Sequence, residues 1–282
     1  MRTKNEKLLI NFTPTGMIPT KKMTPHVPIT PEEIIEDVHS ACELGITIVH
    51  LHARDLNTGE PTYKAEIYSK IIEGIKKFSK DLIICVSLSG RTFKEFEKRS
   101  EPLDIGGSLK PDMGSLTLSS LNFIQHGSMN EPGMIRALAE KMNEKGIKPE
   151  LEAFDSGMIN FSKYLIKKEI IKPPFYYNLI LGNIANAQAD MLNAGMLVQY
   201  LPEESIWSFG GIGASQLEMN SIAIAAGGGV RIGLEDNIWY SSATNKLASN
   251  MDLLKRIHRI AQANEREIMK PCEAREILNM EN

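Results

Sequence analysis

Cysteine is scarce in this chain: Cys42, Cys85 and Cys272 are the whole complement of 282 residues. Three scattered thiols make neither a disulfide framework nor a cysteine-rich structural zinc site. A reducing cytoplasm is the simplest home for them. No apolar run approaches the roughly 20 residues that a membrane-crossing helix needs. The opening Met-Arg-Thr-Lys-Asn-Glu-Lys leads only into the short stretch Leu8–Ile10 and lacks the core of a signal peptide. Neither sign of charge dominates. Lys and Arg number 32 against 35 Asp and Glu, a formal net charge of −3, so no strong field favours nucleic acid or an anionic membrane. Repeats and low-complexity segments are absent as well.

What is present is a regular alternation of short apolar runs with helical patterns. Length and a 42% hydrophobic content suit one large α/β unit or two small ones. Strands are predicted at Leu8–Thr13, Thr47–Asp55, Asp81–Ser89, Pro111–Leu118, Pro149–Phe154, Phe175–Leu181, Ser205–Phe209 and Val230–Leu234. Helices are predicted between them: one capped by Thr30-Pro-Glu-Glu33 and ended by Gly45, then Tyr63–Phe78, Thr92–Arg99, Pro132–Lys145, Ser156–Lys168, Ala187–Tyr200, an Ala-rich segment to Ala226, and Lys246–Asn264. Eight strands each followed by a helical stretch point to an α/β (β/α)8 TIM barrel over residues 1–282, a single domain with a helical extension from about 270 to 282. A doubly wound open sheet is the runner-up, disfavoured because no Gly-x-Gly-x-x-Gly follows the first strand.

Barrel active sites lie at the C-terminal strand ends. The polar residues gather there: His50 and His52; Ser87 and Ser89; Ser115 and Thr117; Glu150 and Glu152; Asn178; Arg231, Glu235 and Asp236. Side chains two apart on a strand share a face, so His50 and His52 project together and can ligate one metal ion. Alone, they are equally two unrelated polar residues at a strand end. Strand parity places Arg231 and Glu235 toward the barrel interior, and a barrel brings strands two and eight to either side of strand one. Glu235 would thus complete a two-histidine, one-carboxylate set with an open position. Zn2+ held so keeps a net charge of about +1, suited to an anionic keto-acid oxygen and a developing enolate. Asp236, of opposite parity, would be free to act as base, with Arg231 pairing either with it or with substrate. The competing reading makes Arg231 and Asp236 a structural ion pair closing the barrel. Gly210-Gly-Ile-Gly213 would either offer backbone N–H groups to a phosphate or form a tight βα turn.

Several segments together resemble the β-keto acid cleavage enzymes. They are Thr-Pro-Glu-Glu-Ile (30–34), Val-His-Leu-His-Ala-Arg-Asp (49–55), Val-Ser-Leu-Ser-Gly (86–90), Pro-Glu-Leu-Glu (149–152), Asp-Ser-Gly-Met (155–158), Gly-Gly-Ile-Gly (210–213) and Arg-Ile-Gly-Leu-Glu-Asp-Asn (231–237). The resemblance implies a zinc-dependent barrel that converts a β-keto acid and acetyl-CoA to acetoacetate and a new acyl-CoA. It implies His50, His52 and Glu235 as zinc ligands. Asp236 would be the general base, supported by Arg231 and Glu152, and Ser87 would contact the reacting groups. Substrate positions would be Thr15, Ile18, Gly90, Ser115 and Thr117; Gly211 and Gly213 would face the coenzyme. It further implies a homotetramer. The type member carries a glutamate for its substrate ammonium where Ile18 stands here. An isoleucine cannot offset a buried ammonium, so the expected tail is apolar or weakly polar, with an anionic tail reaching Lys21 or Lys22 as the alternative. Two other functions compete: a metal-dependent aldolase or lyase without CoA, and a non-catalytic barrel serving as a binding module.

Overall fold

The computed structural model describes residues 6–280. Residues 1–5 and 281–282, the two ends of the unit expected over 1–282, lie outside the described residues. The barrel strands are β1 (Ile10–Phe12), β2 (Ile48–Leu51), β3 (Ile83–Val86), β4 (Met113–Thr117), β5 (Lys148–Ala153), β6 (Phe175–Leu181), β7 (Ser205–Gly211) and β8 (Gly229–Ile232). They pair in parallel and in sequence order, and β1 closes the ring by pairing with both β2 and β8. Around them run α1 (Pro31–Leu44), α2 (Ala65–Lys76), α3 (Phe96–Ser100), α4 (Pro132–Lys145), α5 (Ser156–Lys167), α6 (Met191–Tyr200), α7 (Ser215–Ala226), α8 (Asn250–Ala263) and α9 (Pro271–Ile277). This is the (β/α)8 barrel that the alternation predicts. Among the described residues no helix is long and apolar enough to cross a membrane.

Local chemistry sets where the elements start and stop. The Thr30 hydroxyl accepts from the Glu33 N–H and the Glu33 carboxylate accepts from the Thr30 N–H, a capping box that contributes about 1 kcal/mol. Elsewhere helices begin later than periodicity suggests, because a better cap lies inside the segment. Asp190 caps α6 four residues into the Ala187–Tyr200 stretch. Ser249 caps α8, since Lys246–Leu247 instead pairs antiparallel with Trp239–Ser241. The predicted Thr92–Arg99 helix is reduced to the five residues of α3. The predicted strand Thr47–Asp55 stops at Leu51. Ala53–Arg54 then leaves the barrel to pair with Pro61–Thr62.

The barrel interior is graded from floor to mouth. At the floor Leu9, Ile48, Ile83, Cys85, Met113 and Tyr176 form an apolar cluster with Met269, Ala274 and Leu278. The C-terminal segment is therefore a plug under the barrel rather than an appendage. Arg275 fixes it there, through the Asp81 carbonyl and the Asp112 carboxylate. Toward the mouth the inward residues turn polar and then charged. Burying charge in a barrel requires pairing, and the pairing there is dense.

Candidate active site

His50 and His52 face each other across the mouth of β2, Nε2 to Nε2 at 3.2 Å. Glu235 Oε1 lies 3.1 Å from His52 Nε2, and its other oxygen, Oε2, is buried with no hydrogen-bond partner. One donor atom from each of the three residues falls within 4.8 Å of the others. Two atoms each about 2.0–2.1 Å from a tetrahedral ion sit about 3.3 Å apart, so the observed spacings match two edges of such a site.

The protonation pattern agrees with a metal-binding role. His50 Nδ1 donates to Glu150 Oε2 at 2.6 Å, which turns Nε2 toward His52 as the atom that a metal ion would bind in place of a proton. Burial alone would lower the His50 pKa, but the Glu150 and Glu235 carboxylates outweigh it and push it up to about 9. Those carboxylates create the negative potential that a divalent ion would neutralise. Burial pulls His52 down to about 4, Glu235 offsetting only part of it, so His52 is the neutral imidazole a metal requires. Burial disfavours charge on Glu235, yet His52 and Arg231 hold its carboxyl well below the usual range. The three residues thus fit a metal ion. The grouping of His50, Cys85 and Glu150 does not: its His50–Glu150 contact is a hydrogen bond, and burial pushes the Cys85 thiol well up.

Arg231 ties the acids together. Its guanidinium donates to Glu235 Oε1 at 2.7 Å and Asp236 Oδ2 at 2.9 Å, and it lies 3.5 Å from Glu152 Oε1. Gly210 makes room for it; a Cβ there would sit 3.2 Å from Arg231 Cδ. Of the two partners expected for Arg231, Asp236 or substrate, the structure shows the pairing with Asp236. β8 ends at Ile232, and the chain turns at Gly233, carrying both Glu235 and Asp236 onto the one guanidinium. Burial and the neighbouring Glu235 raise the Asp236 pKa, with Arg231 opposing. Burial likewise raises that of Glu152.

The remaining expected residues scatter in role. Thr117 Oγ1 donates to Glu152 at 2.7 Å, and Ser115 Oγ accepts from the Leu88 N–H. Ser87 lines a cleft with Met17 and His52. Gly90 packs beneath its neighbours: a Cβ would meet the Met129 carbonyl at 2.2 Å. Thr15 is buried with an unpartnered hydroxyl, while Ile18 is 42% exposed on the rim. Lys21 is engaged by Glu33 at 2.8 Å. Gly211 and Gly213 form a tight βα turn rather than a free anion cradle. The Gly213 N–H already donates to the Asp236 carbonyl at 2.8 Å, and a Cβ on Gly211 would meet the Ser215 carbonyl at 2.5 Å.

The profile of the beta-keto acid cleavage enzyme family matches residues 7–280. The chain belongs to that family. A curated member from Fusobacterium nucleatum, named 3-keto-5-aminohexanoate cleavage enzyme, is 35% identical over 276 residues, 98% of each chain. The 3-oxoadipate:acetyl-CoA acetyltransferase of Cupriavidus necator is 32% identical over 280 residues, 96% of this chain and 94% of the other. The fold is also shared with a solved binary complex of ObcA with oxaloacetate: TM-score 0.80 at 19% identity, covering 92% of this chain and 68% of that one.

Sequence reasoning assigns no role to two residues that support this cluster. Glu150 is the foremost. It accepts from His50, from the Asn11 amide at 2.5 Å and from the Cys85 thiol at 3.3 Å. Its signal was present, since it shares the inward parity of Glu152. Arg54 is the second: its buried guanidinium holds the Gly16, Pro19 and Gly59 carbonyls. That clamp presses Gly16 (φ +66°) against Glu235, where a Cβ would come within 2.6 Å. A carboxylate that orients a ligating imidazole typically contributes 10- to 100-fold in metal affinity. If the cluster holds a metal ion, Glu150→Gln is expected to weaken its binding by roughly that factor, measured by competition with a chromophoric chelator. Unchanged affinity would reduce Glu150 to a packing role.

Proposed function

We propose that this chain condenses a β-keto acid with acetyl-CoA and cleaves the adduct to acetoacetate and a new acyl-CoA, with zinc held by His50, His52 and Glu235. The observation that supports it most is the shared Glu235, which touches both the imidazole pair and the Arg231–Asp236 pair. When bound, the ion would polarise the substrate ketone and offset the charge that develops on deprotonation. Asp236 takes the proton from the carbon between carboxylate and ketone, while Arg231 holds its carboxylate in place and Glu152 steadies Arg231 from the other side. That carbon then bonds to the acetyl carbonyl carbon, and CoA leaves as thiolate. The thiolate adds to the original ketone carbon, the bond from that carbon to the acetylated one breaks, and Asp236 returns its proton to the departing acetoacetate. Ser87, in the cleft beside His52, supplies a hydroxyl to the reacting groups.

Strict dependence of keto-acid consumption on acetyl-CoA, with an acyl-CoA product by mass spectrometry, is the expected result. Cleavage without CoA would favour an aldolase or lyase. A homotetramer in the cytoplasm belongs to the same reading, and light scattering tests the assembly. The tail preference is a separate expectation. Ile18 provides no carboxylate for an ammonium, so the enzyme is expected to turn over 3-oxopentanoate better than 3-keto-5-aminohexanoate. The reverse order of kcat/KM would overturn that.

A further inference from the structure

Four arginines surround the mouth of the barrel, and three are fully engaged. Arg54 donates to three backbone carbonyls. Arg99 donates to the Leu88 and Met129 carbonyls and to Asn130 Oδ1. Arg231 holds Glu152, Glu235 and Asp236. Arg91 differs. Among the described residues its guanidinium has no hydrogen-bond or ion-pair partner, yet it is held in place and only partly exposed. Its guanidinium carbon lies 3.7 Å from the centre of the Phe123 ring. Phe123 in turn packs edge-on against Phe154, at the end of β5, with centroids 5.9 Å apart. The Arg91 N–H donates to Ser89 Oγ, and Ser87, Leu88 and Ser89 line the cleft they share with His52. Burial lowers the Arg91 pKa, and the charges that act against this are Glu235, Asp236 and Glu152. Arg91 thus stands two residues beyond the cleft-lining Ser89, with its guanidinium braced on Phe123.

A guanidinium stacked flat on an aromatic ring keeps its in-plane N–H edge free. That edge matches a carboxylate in bidentate geometry. Glu152, Glu235 and Asp236 are already held by Arg231, which leaves the Arg91 edge for an incoming anion. We propose that Arg91, braced on Phe123, is a specificity-determining residue that binds a carboxylate of the keto-acid substrate. The proposal rests on the reaction proposed above. Every β-keto acid offers its reacting carboxylate, and a dicarboxylic one offers a second at the tail. The chemistry recognised is the same for both, and the choice of substrates separates them.

The test compares wild type with Arg91→Gln and Arg91→Lys on 3-oxopentanoate, which has one carboxylate, and 3-oxoadipate, which has two. Kinetics are paired with calorimetric binding of each keto acid to zinc-loaded enzyme without acetyl-CoA. Removing a charge-assisted hydrogen-bond partner is expected to raise keto-acid KM and Kd roughly 10- to 100-fold. Arg91→Lys should restore part of the loss, and the KM for acetyl-CoA should stay unchanged. An equal loss for both acids assigns the reacting carboxylate; a loss confined to 3-oxoadipate assigns the tail. Unchanged keto-acid Kd, or an effect confined to acetyl-CoA, overturns the proposal. Calorimetry keeps it distinct from the reaction itself. Arg91-dependent binding in an enzyme that makes no acyl-CoA would leave Arg91 assigned and the proposed reaction wrong.

Discussion

Replacing His50 and His52 together by alanine is expected to abolish zinc binding and lower kcat/KM by at least about 10^3-fold, because a catalytic metal contributes several kcal/mol of transition-state stabilisation. Elemental analysis of wild type should find about one zinc per chain. The double replacement is the decisive form of the experiment. A single change leaves an imidazole and Glu235, whose spare oxygen Oε2 has no other partner and could hold an ion weakly. The double mutant also discriminates against a non-catalytic barrel, which would keep its ligand binding. Stability is expected to fall along with activity. Without metal, Glu150, Glu152, Glu235 and Asp236 crowd the interior around Arg231. Removing His50 takes the charged partner from the fully buried Glu150, leaving it Asn11 and Cys85, at a cost of about 1–3 kcal/mol. Circular dichroism must therefore accompany the assay. A folded double mutant that retains zinc or turnover would refute the assignment.

The fold was legible because its signal is redundant. Eight apolar runs, each followed by a helical pattern, leave few alternatives, and an error in any one boundary does not alter the closure. The imidazole pair was legible for a similar reason: a period of two fixes the faces of His50 and His52 whether or not the strand reaches His52. Parity does not describe the course of the chain beyond a turn. Glu235 and Asp236 lie beyond a turn at Gly233, which packs so closely on β1 that a Cβ there would come within 2.0 Å of the Thr13 carbonyl oxygen. The turn follows from tertiary packing and not from any local pattern. The role of Glu150 is hidden in the sequence because its task is to hold another side chain, and such partnerships join residues 100 positions apart. Arg91 carries no sequence signal beyond its place after a strand. Its meaning depends on the other three arginines being occupied, which only the assembled mouth reveals.

Asp236→Asn is expected to lower kcat roughly 10^2- to 10^4-fold, the span attributed to a positioned general base, while zinc content and keto-acid binding stay near wild type. The substitution preserves shape and one hydrogen-bond acceptor for Arg231, and it leaves Glu235 and Glu152 to balance the guanidinium. Replacing Arg231 itself would be less informative, because three buried carboxylates would lose their shared partner at a cost of about 3–5 kcal/mol. The raised pKa of Asp236, caused by burial and by Glu235, makes it a stronger base than an exposed aspartate while Arg231 keeps it available as the anion. The first chemical event can be watched alone. Wild-type enzyme given a keto acid in deuterated water without acetyl-CoA should accelerate exchange at the carbon between carboxylate and ketone, and Asp236→Asn should not. The opposing view, in which Arg231 and Asp236 merely close the barrel, predicts a different result: a lower melting temperature with exchange and kcat nearly intact. The two outcomes cannot be confused, since one moves the proton-transfer step and the other moves only the folded state.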